Sequence, residues 1–122
     1  MKVAVRWFDI PATDIKRAVD FYSQLFEIKL EIMDCGAEQM ACFPDGNGAI
    51  SQSSGLHPSA NGCVLNFSVD GRIEELTERA VKLGGKVIIP LTLLEAECGG
   101  CFVNLLDSEG NRFGLYSTTP TK

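Results

Sequence analysis

The feature that most constrains this 122-residue chain is an internal repeat, in which each half follows the order strand, helix, strand, strand, strand. In the first half, Val3–Ile10 alternates as a strand does, with Phe8 and Ile10 on one side and Trp7 and Asp9 on the other. Pro11-Ala12 ends this strand, and Thr13 is predicted to cap a helix. The later strands of this half are predicted at Ile28–Met33, Gln39–Phe43 and Ala49–Gln52.

The second half repeats the same order. Cys63–Val69 is predicted as a strand, and Asp70 as the cap of a helix that ends at Gly84-Gly85. The later strands are predicted at Lys86–Ile89 (ended by Pro90), Phe102–Leu106 and Arg112–Tyr116. The sequence therefore predicts one α+β domain of two β-α-β-β-β modules, about residues 1–54 and 62–117, joined by a linker at about 55–61. Neither half has enough chain to bury a sheet face alone, so the halves pack together or pair with another chain.

Both predicted helices have one apolar face. The inward positions are Ile15, Ala18, Val19, Tyr22, Leu25 and Phe26 in the first helix, and Ile73, Leu76, Ala80 and Leu83 in the second.

The composition excludes several classes of protein. The formal net charge is −5 and the basic residues are scattered, so no surface for nucleic acid is predicted. No apolar run approaches the roughly 20 residues that span a bilayer, and the N-terminus lacks the pattern of a signal peptide. We therefore expect a cytoplasmic protein without a membrane partner.

Five cysteines, an odd number, fit poorly with a closed disulfide framework. Cys35, Cys42 and Cys63 lie in apolar stretches and are predicted to be buried. Cys98-Gly-Gly-Cys101 is half of a structural zinc motif, without a second pair. Zinc binding, a redox pair and free thiols are the three interpretations of this motif, and free thiols are favoured.

Three segments carry a resemblance to a known family. They are Phe8–Tyr22 (FDIPATDIKRAVDFY), the Val69-Asp70 step into a helix that ends LGGKV at Leu83–Val87, and Leu106–Leu115 (LDSEGNRFGL). Together, in this order and spacing, they resemble the vicinal-oxygen-chelate superfamily of glyoxalase I, extradiol dioxygenases, and bleomycin- and fosfomycin-resistance proteins. The resemblance implies that the two modules curl into a half-barrel, with helices outside and the ligand on the concave face.

The same resemblance implies where metal ligands would lie. In metal-dependent members they come from the first and last strands of each module, which correspond here to Trp7, Ile50 or Gln52, Val64 and Gly114. None of these is an imidazole or a carboxylate, so the sequence predicts no metal ion and no cofactor. The one histidine, His57, lies in the linker region, so a Ser-His-Asp or Cys-His arrangement is not predicted either.

Strand alternation predicts which side chains face the concave side. These are Val5, Trp7, Asp9, Ile50, Gln52, Val64, Asn66, Ser68, Arg112, Gly114 and Tyr116. The candidate ligand-binding residues among them are Trp7, Asp9, Gln52, Asn66, Arg112 and Tyr116. Trp7 either stacks on a ligand or fills the space of a metal, and the segment Leu91–Gly100 is either a lid or a mobile loop.

The sequence favours a metal-independent protein that binds a small organic molecule in a Trp-lined cleft. One alternative is a glyoxalase-related lyase or isomerase acting on a small oxygenated substrate; another is an interaction module. The resemblance also implies a homodimer. The sequence is compatible with a cleft built within one chain and with one shared by two.

Overall fold

The computed structural model of the chain describes residues 1–94 and 99–118. It divides between Pro58 and Ser59 into two compact units, which we call the first and second modules.

The first module combines a four-stranded sheet with one helix. Its elements are β1 (Phe8–Pro11), α1 (Ile15–Phe26), β2 (Ile32–Asp34), β3 (Gln39–Cys42) and β4 (Gly48–Gln52). The sheet order is β1-β4-β3-β2. β1 is parallel to β4, and the other neighbours are antiparallel.

The second module has the same connectivity. Its elements are β5 (Leu65–Ser68), α2 (Ile73–Lys82), β6 (Lys86–Leu93), β7 (Cys101–Leu106) and β8 (Arg112–Ser117). The sheet order is β5-β8-β7-β6, again with one parallel pair, β5 with β8. The predicted α+β architecture of two β-α-β-β-β modules is confirmed.

Each helix packs its apolar face on the sheet of its own module. In α1 the buried residues are Ile15, Ala18, Phe21, Tyr22 and Leu25; in α2 they are Ile73, Leu76 and Ala80. The Tyr22 ring lies 6.2 Å from that of Phe43, centroid to centroid, which places Phe43 on the sheet face toward α1. Of the predicted inward positions, Val19, Phe26 and Leu83 are only half-buried. Among the described residues, no helix is long and apolar enough to cross a membrane.

The first strand is shorter than predicted. It begins at Phe8 rather than Val3, where the Phe8 amide donates to the Asn47 carbonyl at 3.1 Å. Its partner β4 begins only at Gly48, so the ladder cannot extend further back. Val3 and Val5 are 92% and 83% exposed.

Both helix caps differ from the prediction. Asp14, not Thr13, caps α1, because its carboxylate accepts from the Arg17 amide at 3.2 Å. Arg72 occupies the corresponding position of α2 without a side-chain cap. Asp70 instead accepts hydrogen bonds from the amide and hydroxyl of Thr118, at 2.7 and 3.0 Å.

The strand predicted to stop at Pro90 continues through it to Leu93. β6 is an edge strand with two register shifts, where a proline costs no hydrogen bond to an outer neighbour.

Two of the three cysteines predicted to be buried are exposed. Cys35 and Cys63 lie just outside strands, and Cys42 is half-buried. Cys98 of the CxxC motif and residues 95–98 of the proposed lid lie outside the described residues.

Candidate functional site

The sheet of the second module has two faces, one packed against α2 and one on the opposite side. Phe113, Leu115 and Ser117 of β8 are buried on the face toward α2. Because side chains alternate along a strand, Arg112, Gly114 and Tyr116 lie on the opposite face. The register adds Asn66 of β5 and Asn104 of β7, both paired with Gly114. We call this surface, defined by Asn66, Asn104, Arg112, Gly114 and Tyr116, the amide face.

Gly114 brings the two amides together. A Cβ at this position would collide with the Asn66 side chain, lying 2.8 Å from its Cγ and 3.2 Å from the Asn104 Nδ2. The Asn66 amide therefore extends over the glycine toward Asn104. Asn66 is exposed, whereas Asn104 is only 7% exposed. The face thus offers two carboxamides, one of them buried and fixed.

Arg112 lies beside these amides and is half-buried. Its Nε donates to the carbonyl of Ala60 at 3.1 Å, and its Nη1 to the Oδ1 of Asn104 at 3.5 Å. The first bond fixes the plane of the guanidinium at its inner edge. The guanidinium has five N–H donors, and these two bonds use two of them.

Tyr116 lies at the other end of the face. Its hydroxyl donates to the Gly99 carbonyl at 3.4 Å, and Phe102 is its partner on β7. Arg112 and Tyr116 are four residues apart on one strand, or about 13 Å. A charged end, an amide centre and an aromatic end therefore fit within the length of a small organic molecule.

The corresponding face of the first module carries Trp7 and Asp9. The Asp9 carboxylate accepts from Trp7 Nε1 at 3.2 Å and from the Ser51 hydroxyl at 2.9 Å. Ser51 is fully buried, whereas Trp7 is 42% exposed. The indole is thus held by its nitrogen while part of its ring surface stays open to solvent.

Gln52 does not lie with Trp7 and Asp9. Its Oε1 accepts from the Ile15 amide at 2.7 Å, so the side chain caps the start of α1. It also lines an open cavity of about 470 Å³ that includes Thr13, Asp34 and His57. The prediction that Gln52 and Ile50 share a face with Asp9 is wrong.

The cause is the phase of β4. In the register Ile50 is the partner of both Ile10 and Ala41, on the face toward α1, so Ala49 and Ser51 lie on the Asp9 face. The two final hairpins differ in length: Phe43 pairs with Gly48 across four residues, but Asp107 with Asn111 across three. Aligning the sequences of the two halves through these turns therefore misplaces β4 by one residue. An error of one residue assigns every β4 side chain to the wrong face.

Comparisons with known proteins address the architecture. No family model and no curated protein matches the chain. A glyoxalase/bleomycin resistance protein/dioxygenase family enzyme from Burkholderia phytofirmans is 20% identical, with a TM-score of 0.70 over 95% of this chain and 99% of that one. The chain has the vicinal-oxygen-chelate fold.

Two further solved structures share this vicinal-oxygen-chelate fold. The fosfomycin resistance protein FosX from Mesorhizobium loti is 19% identical, with a TM-score of 0.66 over 98% of this chain and 95% of that one. A glyoxalase-related enzyme from Fulvimarina pelagi is 16% identical, with a TM-score of 0.66 over 93% and 87% of the two chains.

The positions at which vicinal-oxygen-chelate proteins are expected to bind a metal do not fit one here. Trp7, Val64 and Gly114 offer no donor side chain, and the corrected register puts Ala49 at the fourth position. In the part of the chain that the structure describes, no group of three or more His, Cys, Asp or Glu side chains is placed to hold a metal ion. This donor set does not fit a divalent cation.

Two residues of these faces were not predicted from the sequence. Asn104 interrupts the apolar run CFVNLL of β7, and Ser51 lies in the buried strand GAISQ. A polar residue within an apolar strand was the available signal, because buried polar side chains usually have a specific partner.

Proposed function

We propose that this protein binds a small organic molecule on the amide face without the help of a metal ion. The observation that carries the proposal is the convergence of the Asn66 and Asn104 amides over Gly114, next to Arg112 and Tyr116. A few precisely placed polar groups are what fixes the orientation of a ligand in a small-molecule site.

The chemistry of the face supports this proposal. Each carboxamide supplies donors and an acceptor, so the pair can bind a carbonyl, a hydroxyl or another amide. Asn104 is buried and hydrogen-bonded to Arg112, so its orientation is set before a ligand arrives. A fixed polar group loses little entropy on binding, which favours affinity.

We propose Trp7 as a separate aromatic contact for small molecules, on the first module alone. Its ring nitrogen is occupied by Asp9, so the exposed part of the indole offers its π surface. Such a surface stacks on planar or cationic groups. The fluorescence of this single tryptophan is a direct probe of that contact.

The test uses the side-chain amide resonances of Asn66 and Asn104 in ¹⁵N-labelled protein. A panel of small carbonyl and hydroxyl compounds is titrated into protein that has been treated with EDTA. We expect at least one compound to shift both side-chain amides saturably, with the same affinity before and after chelation. Asn66→Ala is expected to lower the affinity for that compound about tenfold, which corresponds to the loss of one or two hydrogen bonds.

The control and the contrary results are defined on the same protein. Asn61→Ala, outside the amide face, is expected to leave the affinity unchanged. Saturable shifts confined to residues outside the amide face would overturn the site, and binding abolished by chelation would overturn metal independence. Hemithioacetal turnover stimulated by nickel or zinc would instead support a glyoxalase-related lyase.

A further inference from the structure

The amide face is positively charged in an acidic protein. The chain has 16 acidic residues against 11 basic ones, a net charge of −5. Yet the charged residues among the paired sheet positions of this face are Arg112 and Lys86, which lie on the strands to either side of Leu106. No paired position on this face is an aspartate or glutamate.

Arg112 has no carboxylate partner among the described residues. Its hydrogen bonds go to two neutral oxygens, the Ala60 carbonyl and the Asn104 amide. Two acidic residues lie close to Arg112 along the chain, and both have other contacts. Glu109 accepts from the Ser108 hydroxyl at 3.1 Å. Asp107 accepts from the amides of Glu109 and Asn111 and from the Asn111 side chain. A half-buried guanidinium without a countercharge is costly to keep unless something anionic compensates it.

We infer that the molecule bound on the amide face carries a carboxylate, which pairs with the remaining N–H groups of Arg112. The inference rests on the proposed function, because it assigns one end of the same ligand. Arg112 is suited to this role since its Nε bond to Ala60 holds the planar fork in place, and a carboxylate matches that fork with two parallel hydrogen bonds. Lys86 adds a second positive charge to the same end of the face.

The rest of the face then defines the ligand further. The Arg112 Nη1 reaches the Asn104 Oδ1 at 3.5 Å, and Tyr116 lies two residues beyond Gly114, about 7 Å further along the strand. A carboxylate at Arg112 places the middle of the molecule over Asn66 and Asn104 and its far end near the Tyr116 ring. The chemical class is therefore a monocarboxylate with a polar centre and an apolar end.

The experiment compares matched pairs that differ only in charge: acetate with acetamide, benzoate with benzamide, and 3-phenylpropanoate with 3-phenylpropanamide. Each is titrated into ¹⁵N-labelled full-length protein and followed at the Asn66 and Asn104 side chains. We expect the carboxylate of the best pair to bind about tenfold more tightly than its amide, as expected for charge-assisted hydrogen bonds.

Variants separate charge from structure. Arg112→Gln is expected to bring the ratio of the two affinities to about one while the amide still binds, and Arg112→Lys to keep part of the preference. Lys82→Gln removes the same charge from α2, on the other side of the sheet, and is expected to keep the wild-type ratio. Retained amide binding shows that Arg112→Gln is folded.

The contrary outcomes distinguish the two proposals. Equal binding of acid and amide by the wild-type protein, or an unchanged preference in Arg112→Gln, overturns the carboxylate inference and leaves the proposed function intact. If no member of any pair shifts the two amides, both the inference and the proposed site fail.

Discussion

Two glycines in the sheets make room for a side chain of a neighbouring strand, with different consequences. A Cβ on Gly48 would collide with the Phe8 ring, which packs 5.5 Å from the Phe43 ring. A Cβ on Gly114 would collide with Asn66, whose side chain is exposed and can rotate. Gly48 makes room for an aromatic ring of the core, whereas Gly114 makes room for a side chain of the amide face.

Gly114→Ala therefore tests the amide face with little risk to the fold. We expect the Asn66 amide to turn away from Asn104, weakening small-molecule binding about tenfold, while the free energy of unfolding changes by less than about 1 kcal/mol. Affinity measured by calorimetry and stability measured by urea denaturation check the two parts.

The double variant Asn66→Ala/Gly114→Ala is the control. Since Asn66→Ala already removes the amide, adding Gly114→Ala should weaken binding no further. A loss in the double variant beyond that of Asn66→Ala would mean that Gly114 acts by another route.

At the scale of elements, hydrogen bonds from the end of β8 secure the start of α2. Thr118 donates its amide and hydroxyl to Asp70, and Ser117 accepts from the amide of Gly71. The backbone hydrogen bond from Thr118 is the largest cause of a pKa of Asp70 below its ordinary value of 3.8. The aspartate thus links two elements in its ionised form.

The direction of this pKa change predicts a pH dependence. Because the folded protein holds the Asp70 carboxylate more readily ionised than the unfolded chain does, the contribution is complete well above pH 4. It is lost as the pH falls from about 4 through the lower folded pKa. Asp70→Asn should therefore lower the unfolding free energy at neutral pH and flatten its decline between pH 6 and 3, as followed by urea denaturation.

Asp20→Asn, which removes an exposed acid from α1, is the matched control and should keep the wild-type pH dependence. An Asp70→Asn curve parallel to the wild-type curve would show that the Thr118 contacts do not persist in solution.

At the scale of the whole molecule, we propose that the chain forms a homodimer. Each module has only four strands and one helix, which is too little chain for a module to bury its sheet face well by itself. The resemblance to vicinal-oxygen-chelate proteins adds the expectation of a homodimer. Sedimentation velocity on the full-length chain should give twice the chain mass at micromolar concentration, with dissociation on dilution. A monomer throughout that range would contradict the expectation.

The order of elements could be predicted from the sequence because it depends on local signals. Helical spacing in Ile15–Leu25, alternation in Leu65–Phe67 and the turn residues between strands act within a few positions. The ends of strands and helices were harder to predict from the sequence, because they depend on distant partners. β1 begins at Phe8 because its partner β4 begins at Gly48, and Asp70 bonds to Thr118 instead of capping α2.

The sequence by itself determined the two repeated modules and indicated their fold. Only the tertiary structure decided the phase of β4 and the partners of Gln52, Asn104 and Arg112. The physical reason is that a strand has a period of two residues, so a turn one residue longer reverses every side chain after it. The partners of Gln52, Asn104 and Arg112 depend on hydrogen bonds between residues distant in sequence, which only the folded chain brings together.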